Sequence, residues 1–356
     1  MMLKEKGFKN YHFEILDNVT DLIRIKDLDD NIIYTNNDIL DTIPIKKKRL
    51  DEKETKSYKV HIDTIDGIMQ SEQRIMGIDY SIKSSPIFNN EGKVIASVEV
   101  FRDVTREREL EKALMESTQE IEQDLVFAKL IQRRILPNKG NYGNLNIDFR
   151  YEPSKHLSGD IFDIFDVDDE NIGMYIVDVS GHGVEATMLT VFIRQIMYSV
   201  AYMSKSPSEV FKKLQKKYAE LDLAPDRYFT MFFGIYNKNT REFKYANAGH
   251  NSIPFLFNKD SITMLVNYGL PILGFDTNNN YKDKSVTLVP GDSILMYTDG
   301  LIEAKNEHGE EFGEDRVKHA ILETEGNLLE EIEEKHSNFI DLEQQDDIAM
   351  LLMNVN

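Results

Sequence analysis

Apolar residues follow three rhythms along this chain. From residue 8 to about 104 they come as short alternating runs. LIRIKD, IIYTN, SEQRIMG, IDYSIKSSPIF and KVIASVEVFRDVT read as five strands. The turn Asp29-Asp30-Asn31 joins the first two as a hairpin, and Asn89-Asn90-Glu91-Gly92 joins the last two. With a short helix at Phe13 to Leu16 ahead of them, residues 1–104 are expected to form a small, sensor-sized α/β unit.

The second rhythm is helical. Leu110, Leu114, Ser117, Ile121, Leu125, Ala128, Ile131 and Ile135 recur at steps of three or four, and Pro137 stops the pattern. Nearly every other position is charged or an amide. Residues 105–137 are therefore expected to form a helical linker that pairs with a second copy as a parallel coiled coil; a surface helix packed on its own domain is the alternative.

From residue 138 onward, strands alternate with grouped helices. IFDIFDV and NIGMYIVDV flank a turn at Asp168-Asp169-Glu170, and a helix runs from about 184 to 203. Ser206-Pro207-Ser208-Glu209 is a capping box with proline at the first helical position, opening a helix to about 223. FTMFFGIYN and EFKYANAGH form a hairpin, and SILMYTD and IAMLLMNV are late apolar strands separated by helices near 314–323 and 327–340. This order suggests an α+β sandwich for residues 138–356.

Composition narrows the field. The 356 residues suffice for two domains, and 41% hydrophobic with 29% charged residues reads as a folded, soluble chain. No long apolar run or charged-then-apolar leader is seen, so no membrane association is expected. The absence of Cys excludes disulfides, zinc–thiolate and iron–sulfur sites and a cysteine nucleophile, and fits a cytoplasmic location. A net charge of −20 argues against nucleic acid as a partner. The one basic cluster, Lys46-Lys47-Lys48-Arg49, runs straight into Asp51, Glu52 and Glu54 and reads as a solvated loop.

Candidate chemistry lies in four acidic motifs: SGDIFD (158–163), DVSGHG (178–183), YTDG (297–300) and QQDD (344–347). Three put an aspartate at the edge of an apolar run without an obvious Lys or Arg beside it, which favours a metal held by oxygen ligands. If the hairpin turns about Asp169, paired residues sum to about 338, so Asp160 faces Asp178 across neighbouring strands. Opposed like charges destabilise a sheet unless a cation lies between them. Asp299 ends one apolar strand, while Asp346 and Asp347 open another. Oxygen-rich sites of this kind suit Mg²⁺ or Mn²⁺, and two such ions bridging a water of lowered pKa suit in-line attack on phosphorus. His182, between two glycines, reads more readily as a turn-shaping residue than as a catalytic one.

SGDIFDIF, YIVDVSGHGVEA, YANAGHNSIPFLF, GLPILGF, GDSILMYTDGLIEAKNEHGEEFGEDR and DDIAMLLM together resemble the PPM-type metal-dependent serine phosphatases, in the bacterial SpoIIE/RsbU branch. The likeness covers residues 120–356, including AKLIQRRILP. The N-terminal unit is similar to a PAS domain in ILDNVTDLIRIKDLDDNIIYTN and VEVFRDVTREREL.

The resemblance implies a helix-flanked PPM-type β-sandwich holding two Mn²⁺ or Mg²⁺ ions. Asp160, Asp299 and Asp346 would be ligands, Gly181 or its neighbour a carbonyl donor, and Asp178 a displaced member of the same site. It further implies a phosphorylated anti-sigma-factor antagonist as substrate and a PAS sensor acting through a homodimeric coiled coil. Ser158 stands where the family usually has glycine. A non-catalytic PAS-coupled signalling scaffold with a structural metal is the rival reading; a PAS-coupled histidine kinase lacks its helix-borne His. The PAS ligand stays open: without Cys no flavin–cysteinyl adduct can form, and His12 and His61, which could ligate haem, read more readily as surface or core histidines.

Overall fold

The computed structural model describes residues 15–37, 57–62, 68–181, 183–275, 279–324, 326–340, 344 and 346–356. His12, the first half of the expected first helix, the basic cluster at Lys46 to Arg49 and His182 lie outside them, as does the side chain of His61. The chain divides into two compact units, residues 1–121 and 122–356.

The first unit is one antiparallel sheet of β1 (Leu22–Asp27), β2 (Ile32–Thr35), β3 (Ser57–Ile62), β4 (Met69–Ile75), β5 (Ile78–Phe88) and β6 (Val94–Asp103), in the order β2-β1-β6-β5-β4-β3. Among the described residues that is six strands, where five were expected. The additional one, SYKVHI, does alternate Tyr58, Val60 and Ile62, but flanking charges submerge the pattern. Asp27 closes the first hairpin by accepting the N–H groups of Asp29 and Asn31 at 2.9 and 2.8 Å. A small core of Ile75, Tyr80, Ile82 and Phe101 covers one face. Buried Arg24 lies 5.1 Å over the Phe101 ring and 2.7 Å from Glu99.

Helix α1 (Thr105–Arg134) follows, ending two residues before the expected Leu136. Its seam residues Leu110, Leu114 and Ile121 are 62%, 69% and 58% exposed, so none of the described residues covers them.

The second unit is a sandwich of two sheets. Its strands are β7 (Gly140–Tyr142), β8 (Leu145–Glu152), β9 (Asp160–Asp166), β10 (Asn171–Val179), β11 (Tyr228–Asn237), β12 (Glu242–Ala248), β13 (Phe255–Phe257), β14 (Ile262–Met264), β15 (Ile272–Leu273), β16 (Lys284–Thr287), β17 (Ser293–Tyr297) and β18 (Ile348–Val355). One sheet runs β16-β12-β11-β10-β9, with β15 added to β11; the other runs β14-β13-β17-β18-β8-β7.

Strand alternation assigns the faces. Phe162, Ile164, Ile172, Met174 and Ile176 meet Ile147, Ile294, Met296, Leu351 and Met353 between the sheets. The opposite face of β9 and β10, with Ile161, Phe165, Tyr175 and Val177, packs on α2 (Val184–Ala201) and α3 (Pro207–Ala219). The short α4 (Asp299–Ile302) follows β17, and α5 (Gly313–Glu323) and α6 (Leu328–Phe339) cover the outer face of the second sheet. Buried on both sides, β10 reads as a nearly unbroken apolar run. Half of the expected capping box forms: Ser206 Oγ accepts the Glu209 N–H with Pro207 at the first helical position, but the Ser206 N–H goes to Ser204 Oγ and not to Glu209.

Candidate active site

The β9–β10 hairpin delivers the first two carboxylates. Its register pairs Ile172 with Asp166 at the turn and Asp178 with Asp160 at the open end, as the turn position implies. Both aspartates share parity with Phe162, Ile164 and Ile176, which puts them on the face between the sheets. From the second sheet, β17 ends at Tyr297, and Asp299 opens α4. Strand β18 begins at Ile348, just past Asp346 and Asp347.

A threonine and a glycine join these ends. The Thr298 N–H donates to the Ala349 carbonyl at 3.1 Å, and the Ala349 N–H donates to Thr298 Oγ1 at 2.9 Å. Gly300 lies so near β18 that a Cβ there would stand 2.0 Å from the Asp347 carbonyl oxygen. A glycine after Asp299 is therefore a packing requirement.

The adjacent aspartates Asp346 and Asp347 have different surroundings. Asp347 is buried and turned inward: its Oδ1 accepts from the Ser154 N–H at 2.7 Å and the Ser154 hydroxyl at 2.9 Å, and its Oδ2 from the Gly159 N–H at 2.8 Å. It pins the segments that carry Asp160 and Asp346. Asp346 is exposed at the edge of the cluster.

The cluster is electrostatically strained. Burial, then the neighbouring Asp178, Asp347 and Asp299, hold the Asp160 carboxyl far above its ordinary range, with the Thr298 hydroxyl opposing. Burial and then Asp299, Asp346, Asp347 and Glu303 push Asp178 up to about 7. Burial, Asp346 and Glu303 push Asp299 up to about 6. Asp160 Oδ2 is buried without a hydrogen-bond partner.

Cations are present nearby but do not enter. Arg227 points one guanidinium nitrogen to 3.3 Å from where a Gly181 Cβ would be, and it pairs with Glu185 at 2.5 Å. Gly181 has φ of +94°, a conformation that suits glycine. Arg194 contacts Asp163 at 2.9 Å on the helix side of β9, so this second aspartate of SGDIFD does have an arginine partner that its local sequence does not reveal.

Among the described residues, no three His, Asp or Glu side chains already stand at metal-ligating spacing. The donor set nevertheless fits a hard divalent cation. Every candidate ligand is an oxygen, one buried carboxylate oxygen lacks any partner, and the carboxylates repel one another. Asp160, Asp178, Asp299 and Asp346 converge at one end of the sandwich, with Gly181 beside them.

Sequence patterns did not single out His250. It is buried, its Nε2 lies 3.0 Å from the Tyr297 carbonyl, and its Nδ1 lies 3.2 Å from the hydroxyl of Thr230, the residue paired with Asp178. Burial lowers its pKa to about 4, so the ring is neutral and bridges the two sheets. The AGH of EFKYANAGH was the only signal.

A helix-flanked two-sheet sandwich is the fold of a PP2C domain. The fold is similar to that of the SiaA-PP2C domain of Pseudomonas aeruginosa, with a TM-score of 0.58 and 22% identity, over 67% of this chain and 99% of that one. Residues 168–356 match the family described as Stage II sporulation protein E (SpoIIE), and the chain belongs to that family. It is 31% identical over 192 residues to phosphoserine phosphatase RsbU of Bacillus subtilis (strain 168), covering 54% of this chain and 57% of the relative. It is 27% identical over 184 residues to phosphoserine phosphatase RsbP of the same organism, covering 51% and 45%. The chain thus spans about half the length of these relatives.

Proposed function

We propose that the chain is a metal-dependent protein serine/threonine phosphatase that dephosphorylates a phosphorylated anti-sigma-factor antagonist. The observation that carries this reading is the convergence of Asp160, Asp178, Asp299 and Asp346, with one buried Asp160 oxygen lacking a hydrogen-bond partner, in a chain whose relatives are named phosphoserine phosphatases.

Asp160, Asp299 and Asp346, with the Gly181 carbonyl, would hold Mn²⁺ or Mg²⁺ in a site for two ions, and Asp178 would complete its acidic wall. Bound there, such ions neutralise the carboxylates, polarise the phosphoryl oxygens and lower the pKa of water. The protein's own part is positional. Thr298 and Gly300 hold Asp299 against β18, and Asp347 fixes the strand ends that present Asp160 and Asp346. No side chain of this chain needs to act as nucleophile.

The exposed seam of α1 supports a parallel homodimer through this helix, with residues 1–104 as a PAS-like sensor controlling the phosphatase. The test is phosphate release from a phosphoserine-bearing antagonist protein with Mn²⁺, against the same reaction with EDTA. Metal-dependent turnover is expected. A folded chain that binds Mn²⁺ and releases no phosphate supports the scaffold reading instead.

A further inference from the structure

Helix α1 is exposed almost throughout, and its one fully buried side chain is an amide: Gln132, 2% exposed. A buried amide is costly unless its donor and acceptor are both used. Gln132 spends both on a single residue. Its Nε2 donates to the Ser158 carbonyl at 2.8 Å, and its Oε1 accepts the Ser158 N–H at 3.1 Å. The same carbonyl lies 3.0 Å from Thr187 Oγ1 of α2, whose single hydroxyl proton it shares with the Gly183 carbonyl at 2.9 Å.

Ser158 is two residues from Asp160 and tied to it directly. Its hydroxyl accepts the Asp160 N–H at 3.0 Å. Between them, the Gly159 N–H goes to Asp347 and its carbonyl accepts the Val179 N–H at 3.2 Å. The segment 158–160 is thus held through its backbone, while Asp160 Oδ2 has no partner of its own. Where that oxygen points depends on how the preceding backbone is clamped.

We infer that Gln132 is a positioning residue for the metal site, acting on Asp160 through the Ser158 backbone. The inference rests on reading Asp160 as a metal ligand. It makes the end of the linker helix part of the active-site scaffold, so the element that leaves the N-terminal sheet at Thr105 also grips the strand entry at Ser158. The bond is specific in form: an apolar side chain of the same length fills the space but cannot orient the backbone. Groups that fix a ligand from behind commonly change metal affinity by about 10–100-fold when removed.

The experiment compares Mn²⁺ binding by calorimetry for the full chain and two variants, Gln132→Met and Thr187→Val, with circular dichroism and melting of the metal-free proteins alongside. Gln132→Met is expected to bind Mn²⁺ roughly tenfold more weakly while its spectrum stays unchanged. Thr187→Val removes the shared hydroxyl bond to the same carbonyl and is expected to shift affinity in the same direction by a smaller factor. Wild-type affinity in a folded Gln132→Met overturns the proposal, even if the melting temperature falls, because that is the signature of a purely structural clamp. Should Gln132→Met not fold, Thr187→Val decides: unchanged Mn²⁺ affinity overturns the role of the Ser158 backbone. The titration reads binding rather than turnover, so a chain that binds Mn²⁺ without hydrolysing phosphoserine overturns the phosphatase reading and still decides Gln132.

Discussion

The two ends of the β9–β10 hairpin are both acidic, and they solve the problem of negative charge in opposite ways. At the turn, Asp168 is partly buried, but the Lys205 ammonium at 3.0 Å, the Glu170 N–H and Asn171 outweigh that burial and hold its carboxyl down to about 2. At the open end, Asp160 faces Asp178 with Asp299 beyond, and the carboxyls of these three are pushed up. Midway, Asp163 on the helix side of β9 is buried like Asp160 yet has Arg194 in contact. One hairpin thus carries aspartates with internal cations and aspartates without. In the proposed site, only the latter would take an external one.

The largest expected effect separates these groups by chemistry. Asp160→Asn or Asp299→Asn should lower phosphatase turnover by at least about 10²–10³-fold while circular dichroism shows an intact fold. Full activity in either variant removes that residue from the site. Gly300→Ala comes next, because its Cβ would meet the Asp347 carbonyl at 2.0 Å. A stability loss of about 1–3 kcal/mol in denaturant melts is expected, together with weaker Mn²⁺ binding as β18 is displaced. Wild-type stability there would mean that β18 is not tightly seated on α4.

Asp163→Asn sharpens the contrast from the other side. It leaves Arg194 short of its partner and should cost about 2 kcal/mol, yet leave Mn²⁺ affinity unchanged. A large loss of affinity would mean that the two faces of β9 are not independent.

The smallest effect is a pH dependence of opposite sign at the two ends. Asp178 and Asp299, raised to about 7 and about 6, bind protons in the folded chain that the unfolded chain has already lost. Their contribution to metal-free stability therefore falls as pH rises from about 4 to about 7. Asp168, lowered to about 2, stabilises above the ordinary carboxylate pKa and loses that contribution as pH falls towards 2. Melting curves of the EDTA-treated protein and of the Asp178→Asn variant check this. The loss towards pH 7 should shrink in the variant and on adding Mn²⁺.

Much of this site could be read along the chain, because a two-residue alternation and a marked turn fix strand register. Asp168-Asp169-Glu170 set the hairpin, and from it Asp160 opposite Asp178 follows by counting. Features that depend on distant segments could not be read this way. Nothing in QQDD separates Asp346 from Asp347; Ser154 and Gly159, nearly two hundred residues earlier in the chain, make that distinction. Arg194 meets Asp163 only because α2 packs across β9. Gln132 falls between the apolar seam positions of α1 and reads as one more exposed polar residue. LNIDFRYE and SYKVHI hide as strands because charged side chains break up their apolar positions.

The central proposal is that the open end of the hairpin binds a divalent cation. Calorimetric titration of the metal-free chain with Mn²⁺ near pH 6.5, in buffers of different ionisation enthalpy, tests it most directly. Saturable binding is predicted, with protons released as the raised carboxylates ionise, and with the binding lost in Asp160→Asn. A folded wild-type chain that takes up no Mn²⁺ and releases no protons would contradict the account.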